Sequence, residues 1–297
     1  MKSIRYIHAC DKGFTVTELV VVSFLGLLML ALTMSATLSN RRLYKYDLVR
    51  TKVNQNLRSA LDIIGIDVRE AGENLPSTFP AIEVINGSSG APDQLIIRRN
   101  LLDESFNFCQ AIAASSNNTQ IIVADNSLTT QGCDKTSNAT AYTNWSAYRT
   151  AHNGAVDAYA YDRVAHLGEF IRFTAEVNNS TQYQITKSAG TWAHGYAVGS
   201  ANLYVLEEWK YRISNNTLQI IVNQDTANTL DVVDNVNDFQ VTARLQNGTT
   251  QNAFSVTDSW SSLESLEVSI TGRDTYAKSN VQRTLTSRFF PRNILSN

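Results

Sequence analysis

Hydrophobic residues are concentrated near the start of the chain. No charged residue occurs between Leu19 and Leu38, a run of 20 positions. A helix rises about 1.5 Å per residue, so this run would span about 30 Å, the thickness of the hydrocarbon core of a bilayer. The pattern therefore predicts a transmembrane segment over about residues 19–38.

The helix should continue beyond this segment. Charged residues appear from Arg41 onwards, but apolar residues still recur at spacings of three and four as far as Val68, which favours a helix with one apolar face. Gly72 is placed to cap the C-terminal end, and Pro76 lies just beyond it. We therefore expect one helix over residues 14–72, with its first half apolar on all sides.

The remaining residues, 73–297, have the pattern of a β-rich head. Short segments rich in β-branched and aromatic residues lie between clusters of turn-forming residues, which is typical of strands. The predicted strands are Asp93–Arg98, residues 119–124, Glu169–Thr174, Leu203–Ile213, Thr217–Val222, Phe239–Leu245, Leu263–Thr271 and Arg283–Phe289.

Turn-forming residues complete the predicted fold. Asn215–Asn216 and Asn247–Gly248 favour tight turns, whereas the polar residues 126–165 favour mostly loop. The expected fold class is α+β. The long helix should pack on an antiparallel sheet of the head, and a second, smaller sheet or a loop insertion should complete it.

Composition excludes several classes of protein. The 297 residues carry a formal net charge of −2, whereas a nucleic-acid-binding domain is usually basic, so no nucleic-acid partner is expected. Only 4 Pro and 14 Gly argue against a collagen-like or proline-rich disordered chain. Three Cys are too few for a disulfide-dense toxin scaffold.

The apolar run allows more than one kind of targeting segment. A cleaved secretory signal peptide usually has an apolar region of about 7–15 residues, which is shorter than this run. A plain signal anchor accounts for the length. It does not account for the Gly13–Phe14 junction directly before the run, or for Glu18 in its first turn.

The sequence KGFTVTELVVV, which begins at Lys12, resembles the class III signal of type IV prepilins and of type II secretion pseudopilins. The resemblance implies that residues 1–13 are a leader and that a prepilin peptidase cuts between Gly13 and Phe14. It implies N-methylation of the new terminal residue, Phe14. It also implies that Glu18 acts in assembly, as the partner of the terminal amine of a neighbouring subunit.

Three later segments are similar to PilW-type minor pilins and to the minor pseudopilin J, namely Glu208–Ile213, Val233–Val241 and Phe289–Asn293. The likeness implies a pilin-like fold and a structural role in initiating, priming or capping a type IV pilus. The implied partners are other minor pilins, the major pilin and the inner-membrane assembly platform. The implied location is the inner membrane, with the head in the periplasm, and then the pilus at the cell surface.

Two alternative functions stay open at this point. One is a minor pseudopilin of a type II secretion system. The other is a tip adhesin that binds a surface or a glycan, centred on residues 126–200, where aromatic residues are frequent. Those aromatic residues equally suit a core that holds loops in place, and they are Tyr142, Trp145, Tyr148, Tyr159, Tyr161, Trp192 and Tyr196.

Two cysteines would remain in the mature chain, since Cys10 lies in the leader. Cys109 and Cys133 are 24 residues apart, and in an oxidising compartment they should form a disulfide. Such a loop closure is worth about 3–3.5 kcal/mol in the chain-entropy model. Two separate buried thiols are the alternative.

No enzymatic function, cofactor or bound metal is predicted. His166 and Glu169 lack the second histidine of the H-E-x-x-H zinc motif. Gly87–Ala91 departs from the G-x-S-x-G motif at its last position. The segment Asn223–Asp238 contains four aspartates, which suit either a solvated acidic loop or a calcium site.

Overall fold

The computed structural model describes residue 13 and residues 15–128, 132–276 and 279–294. Its first element is a long helix, α1, over Val16–Glu70. A head of antiparallel sheets with one further α-helix follows. The expected class, a long N-terminal helix with an antiparallel β-rich head, is confirmed.

Helix α1 ends close to the predicted position. Gly72 has a φ of +78°, in the left-handed region that favours glycine. Its N–H group donates to the carbonyl oxygen of Arg98 at 2.9 Å, so the end of the helix is bonded directly to the head. Within the described residues the helix is shorter than predicted by two residues at its C-terminal end.

The strands of the head divide into three sheets. In chain order they are β1 (Ile82–Ile85), β2 (Gln94–Asn100), β3 (Phe106–Asn107), β4 (Gln120–Asp125), β5 (Val156–Asp162), β6 (Leu167–Asn178), β7 (Gln182–Lys187), β8 (Ala201–Tyr204), β9 (Leu206–Ser214), β10 (Thr217–Val222), β11 (Leu230–Asp234), β12 (Val236–Leu245), β13 (Thr250–Gln251), β14 (Leu263–Tyr276) and β15 (Ser279–Phe289). The sheet orders are β1-β2-β9-β10-β11, β13-β12-β14-β15 and β3-β8-β5-β6-β7-β4.

The second half of α1 packs mainly on β14 and β15. Its buried residues follow the predicted spacing of three and four and join a core shared with the five-stranded and four-stranded sheets. They are Val53, Leu57, Ala60, Leu61, Ile64, Gly65 and Val68. Within the described residues, the first half of the helix therefore makes no core contact with the head, whereas the second half is part of its core.

The six-stranded sheet forms an outer unit with a second core, while Tyr159, Tyr161 and Tyr204 of the same sheet join the core shared with α1. Helix α2 (Ala139–Ala151) covers it and buries Trp145 against Phe106 and Phe173. The chain enters and leaves this unit at one place, since the Leu101 N–H group donates to the Val205 carbonyl oxygen at 2.9 Å. We call residues 101–205 the outer unit.

Two expectations about this region were wrong. Residues 126–165 are not mostly loop, because they contain α2 and β5. The second sheet is not the smaller one, because it has six strands. Helix α2 is rich in Thr, Ser and Asn, which have modest helix propensity, and only Ala141 and Trp145 are buried on it, so its apolar face is narrow.

Most predicted strands are confirmed. The exception is Leu203–Ile213, which is broken at Val205 into β8 of one sheet and β9 of another. Asn215 and Asn216 connect β9 to β10 with φ values of 51° and 58°, as a type I′ turn requires. Turn formation by Gly248 is also confirmed, at a φ of 84°.

Candidate functional site: the N-terminal helix and its attachment to the head

The apolar half of α1 projects from the head without covering contacts. The large apolar side chains between Leu19 and Leu38 are between 45% and 69% exposed, the extremes being Leu28 and Leu27. Within the described residues α1 is also the one helix that is long and apolar enough to cross a membrane. Contiguous apolar surface of this extent is typical of a membrane segment or of a protein interface.

The start of the helix is organised by a capping box. The Glu18 N–H group donates to Thr15 Oγ1 at 3.3 Å, and the Thr15 N–H group donates to Glu18 Oε2 at 3.0 Å. Gly13 is exposed, and a Cβ atom added to it would meet no atom beyond its chain neighbours within 4 Å. Phe14, the predicted methylated residue, lies outside the described residues.

Close contacts define how α1 lies on the head. A Cβ atom on Gly65 would lie 2.5 Å from Cε1 of Phe289, so the ring of β15 packs directly on the helix backbone. Towards the helix start, Val53 and Leu57 pack against β14 at Gly272. Strand β14 therefore runs back along the helix towards the membrane segment.

A half-buried carboxylate adds a polar contact to this interface. Tyr211 of β9 donates a hydrogen bond to Asp67 of α1. Burial raises the pKa of the Tyr211 hydroxyl, and the Asp67 carboxylate raises it further. Burial also raises the pKa of Asp67, against the opposing effect of the hydrogen bond from Tyr211. Tyr211 therefore remains a protonated donor at neutral pH, which fixes the rotation of α1 on the sheet.

Two adjacent arginines on β2 face opposite sides of the sheet. Arg98 points inwards and donates to Glu208 Oε2 at 2.6 Å, to Glu83 Oε2 at 3.0 Å and to the Pro80 carbonyl oxygen at 2.9 Å. Burial lowers the pKa of its guanidinium, but the two carboxylates outweigh burial and raise the pKa overall. Arg98 is thus a buried cation with its partners in place.

Arg99 points outwards and joins the helix to the sheet. It pairs with Glu70, the last residue of α1, with Glu73 at 3.8 Å and with Glu207 of β9 at 2.8 Å. Its guanidinium also lies 4.6 Å from the ring centroid of Trp209. Arg98 lies directly opposite Glu208 across β2 and β9, and Arg99 lies opposite Glu207. These two pairs were not predicted. The adjacent Arg-Arg and Glu-Glu dipeptides were the available signal, because matched opposite charges favour cross-strand pairing.

The predicted disulfide is present in the outer unit. Cys109 and Cys133 are bonded, with their Cα atoms 5.7 Å apart. The backbone on each side is also tied to β4, since Cys109 N–H donates to Ile122 O and Asp125 N–H donates to Cys133 O. The bond therefore fastens the segment before α2 to the edge of the six-stranded sheet, far along the chain from Gly13 and Glu18.

The aromatic residues of the middle region belong mostly to the core. Trp145, Tyr159, Tyr161, Trp192 and Tyr196 are buried. The other two, Tyr142 and Tyr148, are half-buried. Burial of five of the seven rings removes the main sequence argument for a glycan-binding surface, since a buried ring cannot stack on a ligand.

The segment Asn223–Asp238 is not the loop that was predicted, because it contains β11 and the start of β12. Its aspartates bond to separate neighbours. Asp231 accepts from Gln219, and Asp234 accepts from Thr217. The described part of the chain contains no group of three or more His, Cys, Asp or Glu residues placed to hold a metal ion.

Comparisons of this chain with protein-family models, with curated proteins and with solved structures find no match. The interpretation of the candidate site therefore depends on its own residues and their geometry.

Proposed function

We propose that this chain is a minor pilin of a type IV pilus, which takes part in assembly initiation, priming or tip structure. The observation that supports this most directly is the uncovered apolar half of α1, preceded by Gly13 and Phe14 and opened by Glu18. Before assembly the helix would hold the subunit in the inner membrane, with the head in the periplasm. After assembly the subunit would lie in a pilus at the cell surface.

Exposed apolar surface favours a lipid or a protein environment over water, at about 25 cal/mol per Å². A helix that is apolar on all sides can exchange lipid for neighbouring helices of the same kind, because both cover the same surface. This is the behaviour required of a subunit that leaves a membrane to enter a filament. The partners in the proposal are the prepilin peptidase, the assembly platform, other minor pilins and the major pilin.

The size of the head supports a position at an end of the filament. The outer unit adds a six-stranded sheet to the two sheets that share a core with α1. A subunit repeated along a shaft must pack against copies of itself on every side. A subunit at the tip meets fewer neighbours and has space for this additional unit.

Replacement of Gly13 by leucine should abolish removal of the 13-residue leader. By analogy with the family, a side chain at this position crowds the peptidase cleft. Immunoblotting should show the full-length form alone. The matched control is Gly26→Leu, a similar substitution inside α1 where no other side chain lies within 4 Å, and this variant should be processed normally. A shortened Gly13→Leu product in normal amount would contradict the proposal.

Replacement of Glu18 by glutamine should reduce incorporation into pili without reducing abundance in the inner membrane. The proposed partner is the terminal amine of a neighbouring subunit, and leaving a buried charge unpaired costs about 3–5 kcal/mol. The measurement is the ratio of the subunit in sheared pili to that in the inner-membrane fraction.

The capping box calls for a control that separates charge from helix capping. Thr15→Ala removes the Thr15 Oγ1 acceptor and costs about 1 kcal/mol of helix stability, but it keeps the Glu18 charge. We expect nearly normal incorporation of Thr15→Ala. Equal losses in the two variants would assign Glu18 to helix capping instead of assembly.

A further inference from the structure

A dense group of cations follows the apolar run directly. Residues 41–52 contain five Lys or Arg residues and one acidic residue, Asp47. The cations are Arg41, Arg42, Lys45, Arg50 and Lys52. All five are exposed, and no ion pair between described residues involves any of them. The head therefore does not use these charges.

Arg41 and Arg42 lie at the height of lipid headgroups when residues 19–38 span the bilayer, and Lys45 lies just above that layer, within reach of its side chain. At 1.5 Å per residue, Arg41 lies about 4.5 Å beyond Leu38 and Lys45 about 10.5 Å beyond it. Each polar layer of a bilayer is about 5–8 Å thick. Long Arg and Lys side chains can bend back towards that layer. Tyr44, which is 65% exposed, is a residue type enriched at this depth.

Membrane topology does not account for these charges. Lys and Arg are usually more frequent on the cytoplasmic side of a membrane segment. Here three precede the apolar run, at Lys2, Arg5 and Lys12, and five follow it. In the proposed orientation, more Lys and Arg residues lie on the periplasmic side than on the cytoplasmic side, which is the reverse of the usual distribution. Anionic groups on the periplasmic side of the membrane would stabilise these cations there.

We propose that Arg41, Arg42 and Lys45 bind the phosphate groups of anionic phospholipids in the leaflet that faces the head. The proposal rests on membrane insertion as given under the proposed function. Lys and Arg near an anionic bilayer surface each strengthen binding by on the order of fivefold. The contact sets the height of the inserted subunit, and it has to be released when the helix leaves the bilayer.

The test uses the full chain reconstituted in phosphatidylcholine vesicles that contain spin-labelled phosphatidylglycerol or spin-labelled phosphatidylcholine. The unmodified chain should hold phosphatidylglycerol several-fold more strongly. The triple variant Arg41→Gln, Arg42→Gln, Lys45→Gln should lose most of this preference. A chain without any preference for phosphatidylglycerol would overturn the proposal.

The matched control removes three charges farther from the bilayer. Arg50, Lys52 and Arg58 lie about 18–30 Å beyond Leu38, are exposed and form no ion pair among the described residues. Their replacement by glutamine should leave lipid preference unchanged. If this control loses as much of the preference for phosphatidylglycerol, the preference depends on net charge alone, and the proposed contact at Arg41, Arg42 and Lys45 is wrong. A first triple variant that keeps its lipid preference but drops out of pili would assign the cations to a neighbouring subunit instead.

Carbonate extraction separates this proposal from the proposed function. Release of the unmodified chain from the vesicles would overturn membrane insertion and the lipid contact together. A chain that resists extraction and prefers phosphatidylglycerol, but is not cut after Gly13 in cells, would retain the lipid contact and contradict the assignment as a pilin.

Discussion

Replacement of Arg98 by methionine should lower the free energy of unfolding by about 3–5 kcal/mol. Glu208 is only 1% exposed, and without Arg98 its carboxylate would remain in the core with no opposing charge. Breaking a buried pair by removing one partner is expensive for this reason. The Pro80 carbonyl oxygen would also lose the hydrogen bond from the guanidinium.

The neighbouring residue provides the control. Arg99 pairs with three glutamates, but it is partly exposed, and such pairs usually contribute about 0–1 kcal/mol. Arg99→Met should therefore cost much less than Arg98→Met. Both free energies can be measured by urea unfolding of the full chain in detergent, followed by tryptophan fluorescence, because all four tryptophans lie in the head.

A double variant tests the physical cause. Replacement of both Arg98 by methionine and Glu208 by leucine removes the pair as a whole, and apolar replacement of a buried pair is often nearly neutral. The double variant should regain much of the stability lost by Arg98→Met alone. If it is less stable than the single variant, the loss comes from packing and not from an uncompensated charge.

Replacement of Gly72 by alanine should destabilise the junction of helix and head by about 2–5 kcal/mol. A φ of +78° costs an ordinary residue about 1–2 kcal/mol. The added Cβ would lie 2.5 Å from the Trp260 ring, and overpacking of a core costs about 1–3 kcal/mol more. Urea unfolding with fluorescence detection measures the change.

Gly90 separates the two contributions. It has the same φ of +78°, but no atom lies within 4 Å of an added Cβ. Gly90→Ala should therefore cost about 1–2 kcal/mol, from the backbone alone. If Gly72→Ala and Gly90→Ala lower the free energy of unfolding equally, the Trp260 ring moves aside freely and overpacking does not contribute.

The features predicted well from the sequence are those encoded within one short segment. The apolar run of α1, the Gly72 cap, the Asn215–Asn216 turn and most strands depend on neighbouring residues and their periodicity. The disulfide required only two cysteines and an assumption about compartment. At the candidate site, the roles given to Gly13 and Glu18 also depend on spacing within one short segment, and they stay predictions.

The features that were missed depend on contacts between distant segments. Helix α2 has modest propensity, and its existence depends on Trp145 filling the core of the outer unit. The break at Val205 is invisible in the sequence because β8 and β9 share one apolar pattern while belonging to different sheets. The Arg98–Glu208 pair joins residues 110 positions apart, so only the register of β2 and β9 reveals it.

That register has a consequence for how the molecule is divided. Asn100 of β2 and Leu206 of β9 face each other on neighbouring strands. The first and last residues of the outer unit are therefore adjacent in space. In topological terms it is an insertion into a β-hairpin, and its Tyr159, Tyr161 and Tyr204 rings pack on Phe79 beneath the hairpin. The surface of the inserted unit that faces away from α1 can therefore vary without touching the helix, whereas Tyr159, Tyr161 and Tyr204 must be kept or replaced because they complete the core that the helix shares.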